Sequence, residues 1–209
     1  MNSHRKFLVL ATLFQGGLLI AGFGIALAAN LNLVFEFDVN GMLRGGLATL
    51  PMLVVFWYAM NSKWAAFEQL RIVLIRHLGP LIAPCSTTEL VYLSMLAGFS
   101  EEILFRGAIQ NGMLAWGLPT AVIASNLLFG LCHAATKTYF LYAMAAGLYL
   151  SWVAGFSVQN LSPAILTHSL YDLIALSVVR ERAKQFEETR DGESPDPPDS
   201  AVESSSANV

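Results

Sequence analysis

An all-α fold, a polytopic membrane helix bundle with about six transmembrane helices and one interfacial helix, is predicted by three observations. The 209 residues are 55% hydrophobic and 13% charged, with a mean hydropathy of +0.55, whereas soluble domains carry roughly a quarter charged residues. Apolar runs long enough to cross a bilayer recur between short polar loops. Given six crossings, ten basic residues fall on one side and only Arg44 on the other. That asymmetry predicts both termini in the cytoplasm.

The first span follows Arg5 and Lys6 and runs from Phe7 to Ala29, 23 residues interrupted only by Thr12 and Gln15. Ala26-Leu27-Ala28 resembles a signal-peptidase site, but the apolar run exceeds the usual 7 to 15 or so residues, so an uncleaved span is expected. Residues 30–44 read as a polar loop with Glu36, Asp38 and Asn40. Gly45 to Met60 forms a second span, with Trp57 and Tyr58 as interfacial anchors.

From Asn61 to Pro84 the apolar positions are Leu70, Val73, Leu74 and Leu78, with Lys63, Arg71 and Arg76 elsewhere. That pattern suits a helix lying at the membrane surface. Ser86-Thr87-Thr88-Glu89 is a capping box that opens a third span, expected to reach about Gly112. Leu118 to Ala134 is the fourth and Tyr139 to Val158 the fifth. Pro163 starts the sixth, to about Arg182, at a first-turn position that tolerates proline. Beyond it the chain turns to Glu, Asp, Ser and Pro, too polar to bury a core. The organisation is therefore residues 1–85 as N-terminal spans and interfacial helix, 86–183 as a helical core, and 184–209 as a disordered acidic tail.

The formal charge of −3 is set by that tail, since residues 1–180 carry nine basic and seven acidic side chains. Such a balance argues neither for nucleic acid nor for an acidic substrate, and no nucleic acid partner is expected. Cys85 and Cys132 lie in no paired motif and read as core thiols.

The residues that stand out are polar ones within the spans: Glu101-Glu102 with Arg106, Phe129 with His133, and His168 with Asp172. A charge at the centre of a membrane helix costs about 2.5–3.5 kcal/mol on insertion scales, so each needs a partner or a purpose. Glu102 and Arg106, four apart, share a helix face, and Glu101 lies about 100° round, free to face a cavity. Counted at about 1.5 Å per residue, His168 is shallower than the glutamates, so convergence on one cavity requires offset helices. Two carboxylates, two imidazoles and a further Asp supply the groups that activate water and stabilise a tetrahedral intermediate. Ion-coupled transport uses similar residues, so the constellation leaves open a proton- or metal-coupled transporter, or a non-enzymatic membrane adaptor or immunity protein.

Glu101-Glu102-x-x-x-Arg106, Phe129-x-x-x-His133 and His168-x-x-x-Asp172, in order on successive helices, resemble the three motifs of the CAAX-protease and bacteriocin-processing (CPBP, or Abi) membrane proteins. That family includes the type II CAAX prenyl endopeptidases, and the resemblance spans about residues 86–180. Its last motif often ends in Asn where this chain has Asp172. The resemblance implies an intramembrane endopeptidase of glutamate type, historically described as a metalloprotease, cutting near the C-terminus of a membrane-associated protein or peptide. It implies a site of Glu101, Glu102, His133, His168 and Asp172.

Chemistry assigns expected roles: Glu101 as general base on a water, Arg106 locking Glu102, Phe129 holding the His133 ring, His133 serving the water or the leaving amine, and His168 with Asp172 steadying the oxyanion. Two histidines and a carboxylate can hold zinc, but His-Glu-x-x-His is absent, so no cofactor is expected to be required. Gly-x-Ser-x-Gly and Gly-x-Gly-Asp are absent too, which argues against serine and aspartyl intramembrane proteases. The expected location is the bacterial inner membrane, with the lipid bilayer as the other partner.

Overall fold

The computed structural model describes residues 3–192, which form helices joined by short loops, with no strand among them. In chain order the helices are α1 (Ser3–Ala28), α2 (Val39–Asn61), α3 (Ala65–Ile72), α4 (Gly79–Ile82), α5 (Thr87–Glu101), α6 (Asn111–Met113), α7 (Leu118–Cys132), α8 (Lys137–Val153) and α9 (Ser162–Gly192). Two π-helical stretches join neighbours into longer rods: Val73–Leu78 links α3 to α4, and Glu102–Gln110 links α5 to α6. Three helices are long and apolar enough to cross a membrane, Ser3–Ala28, Val39–Asn61 and Ser162–Arg190. Leu118–Cys132 is a shorter apolar helix.

Packing follows from where the apolar residues lack water to avoid. Leu10, Leu13, Phe14, Ile20 and Leu27 on α1 and Leu47, Leu50 and Val54 on α2 are exposed, as expected of faces that meet lipid rather than solvent. α9 runs against both α2 and α5, α7 pairs with α8, and α1 lies along α5 and the second π stretch. One core cluster gathers Phe56, Met60, Ile82, Leu90, Leu93 and Val179 from four helices. Close approach of α1 depends on Gly22, where a Cβ would sit 2.9 Å from Ile103 and 3.0 Å from the Leu104 backbone.

Local chemistry sets most boundaries. Ser86 accepts from the Glu89 amide, and Glu89 accepts from the Ser86 amide at 2.7 Å, so the capping box is formed. Thr136 caps α8 through the Tyr139 amide. The interfacial helix appears as the α3 to α4 rod, and Arg71 bonds the carbonyls of Ala59 and Ser62 at the end of α2.

Several expected limits shift. α2 begins at Val39 rather than Gly45, because Asp38 caps it by accepting from the Gly41 amide at 2.7 Å. α8 ends at Val153, five residues early, and the chain turns through Gly155 at φ +74°. α9 continues through 184–192, where a tail was expected. Its Arg182 is anchored to the Met60 carbonyl and to Asn61, and Ala183 packs against Gly79 closely enough to exclude a Cβ there. The rest of the expected acidic tail, 193–209, lies outside the described residues. Cys85 is buried, but Cys132, at the last residue of α7, is exposed rather than a core thiol.

Candidate active site

The π stretch starts at Glu102, so the glutamate doublet straddles a change of helical winding, a feature that recurs at functional sites. Glu102 is fully buried and bound twice through one oxygen. Its Oε1 accepts from Arg106 Nη1 at 2.9 Å and from His168 Nδ1 at 2.8 Å. Arg106 is fully buried as well. Its Nη2 donates to the Gly147 carbonyl at 2.8 Å and to Asn126 Oδ1 at 3.3 Å, and its guanidinium lies 4.6 Å from the centre of the Phe129 ring. Two ions removed from water persist only when paired and hydrogen-bonded, and these contacts supply both.

The polar chain continues past the ion pair. Asn126 donates to Ser151 at 2.8 Å, Ser151 to Gln110 Oε1 at 2.7 Å, and Gln110 to the Phe156 carbonyl at 2.8 Å. The π stretch, α7 and α8 are thereby held by one buried hydrogen-bond network. Gly147 makes room for it, since a Cβ there would stand 2.5 Å from Asn126 Oδ1.

Glu101 points the other way, into a cavity of about 150 Å³ enclosed by α2, α3, α7, α8 and α9. Its Oε1 accepts from Gln15 Nε2 of α1 at 2.8 Å, and the Gln15 carbonyl accepts from Ser100 Oγ. Its Oε2 is buried without a hydrogen-bond partner and lies 4.0 Å from His168 Nε2. His133, His168 and Asp172 line the same cavity, with Tyr139, Tyr142 and Tyr171. The apolar wall comes from Met52, Phe56 and the interfacial residues Leu70, Leu74 and Leu78. The apolar stripe of that helix therefore faces the cavity.

His133 sits just past the end of α7, and its Nδ1 lies 2.9 Å from the Phe129 carbonyl. Nδ1–H must be the donor in that bond, which leaves Nε2 as the free nitrogen. Phe129 also stacks near the His133 ring, with centroids 4.7 Å apart, so both its backbone and its side chain hold the histidine. His168 has Nδ1 on Glu102 and Nε2 3.6 Å from Asp172 Oδ2.

All five expected site residues thus meet at one cavity or bond directly to its wall. The shallow placement of His168 is corrected: α9 begins inside the bundle, where Leu161, Ser162 and Ala164 are all fully buried. That deep start is stabilised by a bond from the Leu161 amide to the Val34 carbonyl and by Asn160 pairing with the Glu36 backbone. Sequence reasoning overlooked Gln15, Asn126, Ser151 and Gly147. Gln15 and Asn126 did carry a signal, as amides inside apolar runs, where polar groups are costly.

Among the described residues no group of three or more His, Cys, Asp or Glu side chains could hold a metal ion. The nearer Glu102 oxygen is committed to Arg106 and His168.

Residues 84–174 match the family described as type II CAAX prenyl endopeptidase Rce1-like. The match begins just before α5 and ends within α9, leaving α1 to α4 outside it. No curated protein and no solved structure matches the chain.

Proposed function

Since the chain carries an Rce1-like domain of the CAAX-protease family, we propose that it is an intramembrane endopeptidase that cuts a peptide bond near the C-terminus of a membrane-associated protein or peptide, using water activated by Glu101. The observation that carries the reading is the asymmetry of the doublet. Oε2 lacks a hydrogen-bond partner in both, but Glu102 is tied through Oε1 to Arg106 and His168 and is not among the residues lining the cavity, whereas Glu101 lines it together with both histidines.

In the proposed reaction Glu101 Oε2 takes a proton from water, and the resulting hydroxide attacks the scissile carbonyl carbon. His133 Nε2, turned from the Phe129 carbonyl by its own Nδ1–H, orients that water as an acceptor. As an imidazolium, His168 donates through Nδ1 to Glu102 and offers Nε2–H to the developing oxyanion, with Asp172 3.6 Å away to balance its charge. Collapse of the tetrahedral species breaks the C–N bond as Glu101 returns its proton to the leaving amine. The cavity walls exclude bulk water, which strengthens each of these interactions.

The family description directs the choice of substrate toward a prenylated CAAX tail, and the positive-inside bias supports cytoplasmic termini in a bacterial plasma membrane. The test uses the full chain, purified in detergent, with an internally quenched CAAX peptide farnesylated on its cysteine. Glu101→Gln and His133→Ala should each lower cleavage by about a thousandfold or more while the protein still purifies with an unchanged melting temperature. Undiminished cleavage by both variants overturns the reading.

A further inference from the structure

The glutamate proposed as base is not positioned by the matched domain alone. Among the described residues its one hydrogen bond to a side chain comes from Gln15, seven residues before Gly22 on the same face of α1, a helix outside residues 84–174. We infer that Gln15 is a positioning residue for the proteolytic site, held by Ser100 and presenting its amide N–H to Glu101 Oε1 so that Oε2 is the oxygen that meets water. The inference rests on Glu101 acting as the base.

An ionised carboxylate accepts only, so the Gln15 amide must turn its NH₂ toward Glu101. Its carbonyl then faces Ser100, whose hydroxyl donates to it. The amide orientation is thereby determined at both ends. A neutral donor on Oε1 orients the carboxylate without adding a positive charge that would neutralise the base. Arg106 in that position would hold Glu101 as firmly as it holds Glu102.

The charged and titratable groups around Glu101 do not duplicate this contact. Glu102 and Arg106, on its own rod, are paired with each other, and His168 Nε2 of α9 stands 4.0 Å from Oε2. Asp172 of α9, His133 of α7, Tyr139 and Tyr142 of α8 and Tyr171 of α9 line the cavity, and Cys132 of α7 feels the Glu101 charge. Among the described residues none of these hydrogen-bonds Oε1, which accepts from Gln15. The separation of roles between the two oxygens therefore comes from α1. The close approach that Gly22 permits against Ile103 and Leu104 sets the distance over which Gln15 reaches.

Gln15→Met, close in size and suited to an apolar helix, removes the donor, and Ser100→Ala removes the anchor. With the farnesylated quenched peptide, Gln15→Met should lower kcat about 10- to 100-fold, the worth of a hydrogen bond to a charged group. KM should stay within about twofold, because Gln15 contacts no part of the peptide path in this scheme. Ser100→Ala should lower kcat less, and adding it to Gln15→Met should lower kcat no further, since it acts through the same amide.

A second readout needs no substrate. Dicyclohexylcarbodiimide modifies protonated carboxyls in apolar sites, and peptide mass spectrometry at pH 7 reads its uptake at position 101. Gln15→Met should raise that uptake several-fold, because the tether that holds Oε1 against α1 has gone. A Gln15→Met enzyme with parental kcat and parental labelling overturns the inference, as does additivity with Ser100→Ala. A parent that leaves the peptide uncut, or Glu101→Gln that still cuts it, overturns the proteolytic reading instead. In that event the labelling still decides whether Gln15 controls Glu101.

Discussion

Arg106 and His168 share a single acceptor: Nη1 of one and Nδ1 of the other lie 2.9 and 2.8 Å from the same Oε1 of Glu102. The second glutamate of the doublet is therefore a junction between the π stretch and α9. Its Oε2 is buried without a hydrogen-bond partner and away from the cavity lining, and Oε1 orients the imidazole whose other nitrogen faces Glu101 and Asp172.

Breaking this junction from the arginine side leaves a buried carboxylate with one partner. Arg106→Ala should destabilise the protein by about 3–5 kcal/mol, the usual cost of stranding one member of a buried pair. Thermal unfolding in detergent measures it. Arg106→Lys should recover only part of the loss, since an ammonium cannot reach Glu102, Asn126 and the Gly147 carbonyl as the planar fork does.

Gly147 should tolerate no side chain. A Cβ there meets Asn126 Oδ1 at 2.5 Å and Arg106 Nη2 at 3.1 Å, so Gly147→Ala should cost about 1–3 kcal/mol and displace the guanidinium. The double variant with Asn126→Ala should lose less than the sum of the single losses, because the obstructing amide is gone. Melting temperatures of the four proteins in the cycle provide the check.

The interfacial rod should control access more than chemistry. Leu74 lies on the cavity wall beside Leu70 and Leu78. Leu74→Trp should fill part of the space and raise KM for the farnesylated peptide several-fold, while kcat changes by less than about threefold. Equal losses in both constants, with an unchanged melting temperature, would show that the rod acts on the reacting groups instead.

Much of the site could be read before any coordinates. Glu102 and Arg106 pair because residues four apart share a helix face, and that spacing survives the π winding at 2.9 Å. Phe129 and His133 meet for the same reason, and the Ser86-to-Glu89 cap follows from local chemistry alone. Each involves partners within one turn, whose separation is determined by backbone geometry. His168 bonding Glu102, Gln15 bonding Glu101 and Gly147 accepting from Arg106 join residues 41 to 86 positions apart. Their distances depend on how deep α9 begins and how closely α1 packs.

What the sequence by itself determined is the all-α bundle, its apolar helices and the polar residues that each helix carries, because composition and short-range spacing act within a single segment. Only the tertiary structure decided that α9 starts inside the bundle, that the two glutamates face opposite environments, and that a helix outside the matched domain donates to the first of them. Those outcomes follow from the close packing of whole helices at small residues such as Gly22 and Gly147, where a single methyl group would push the partners apart.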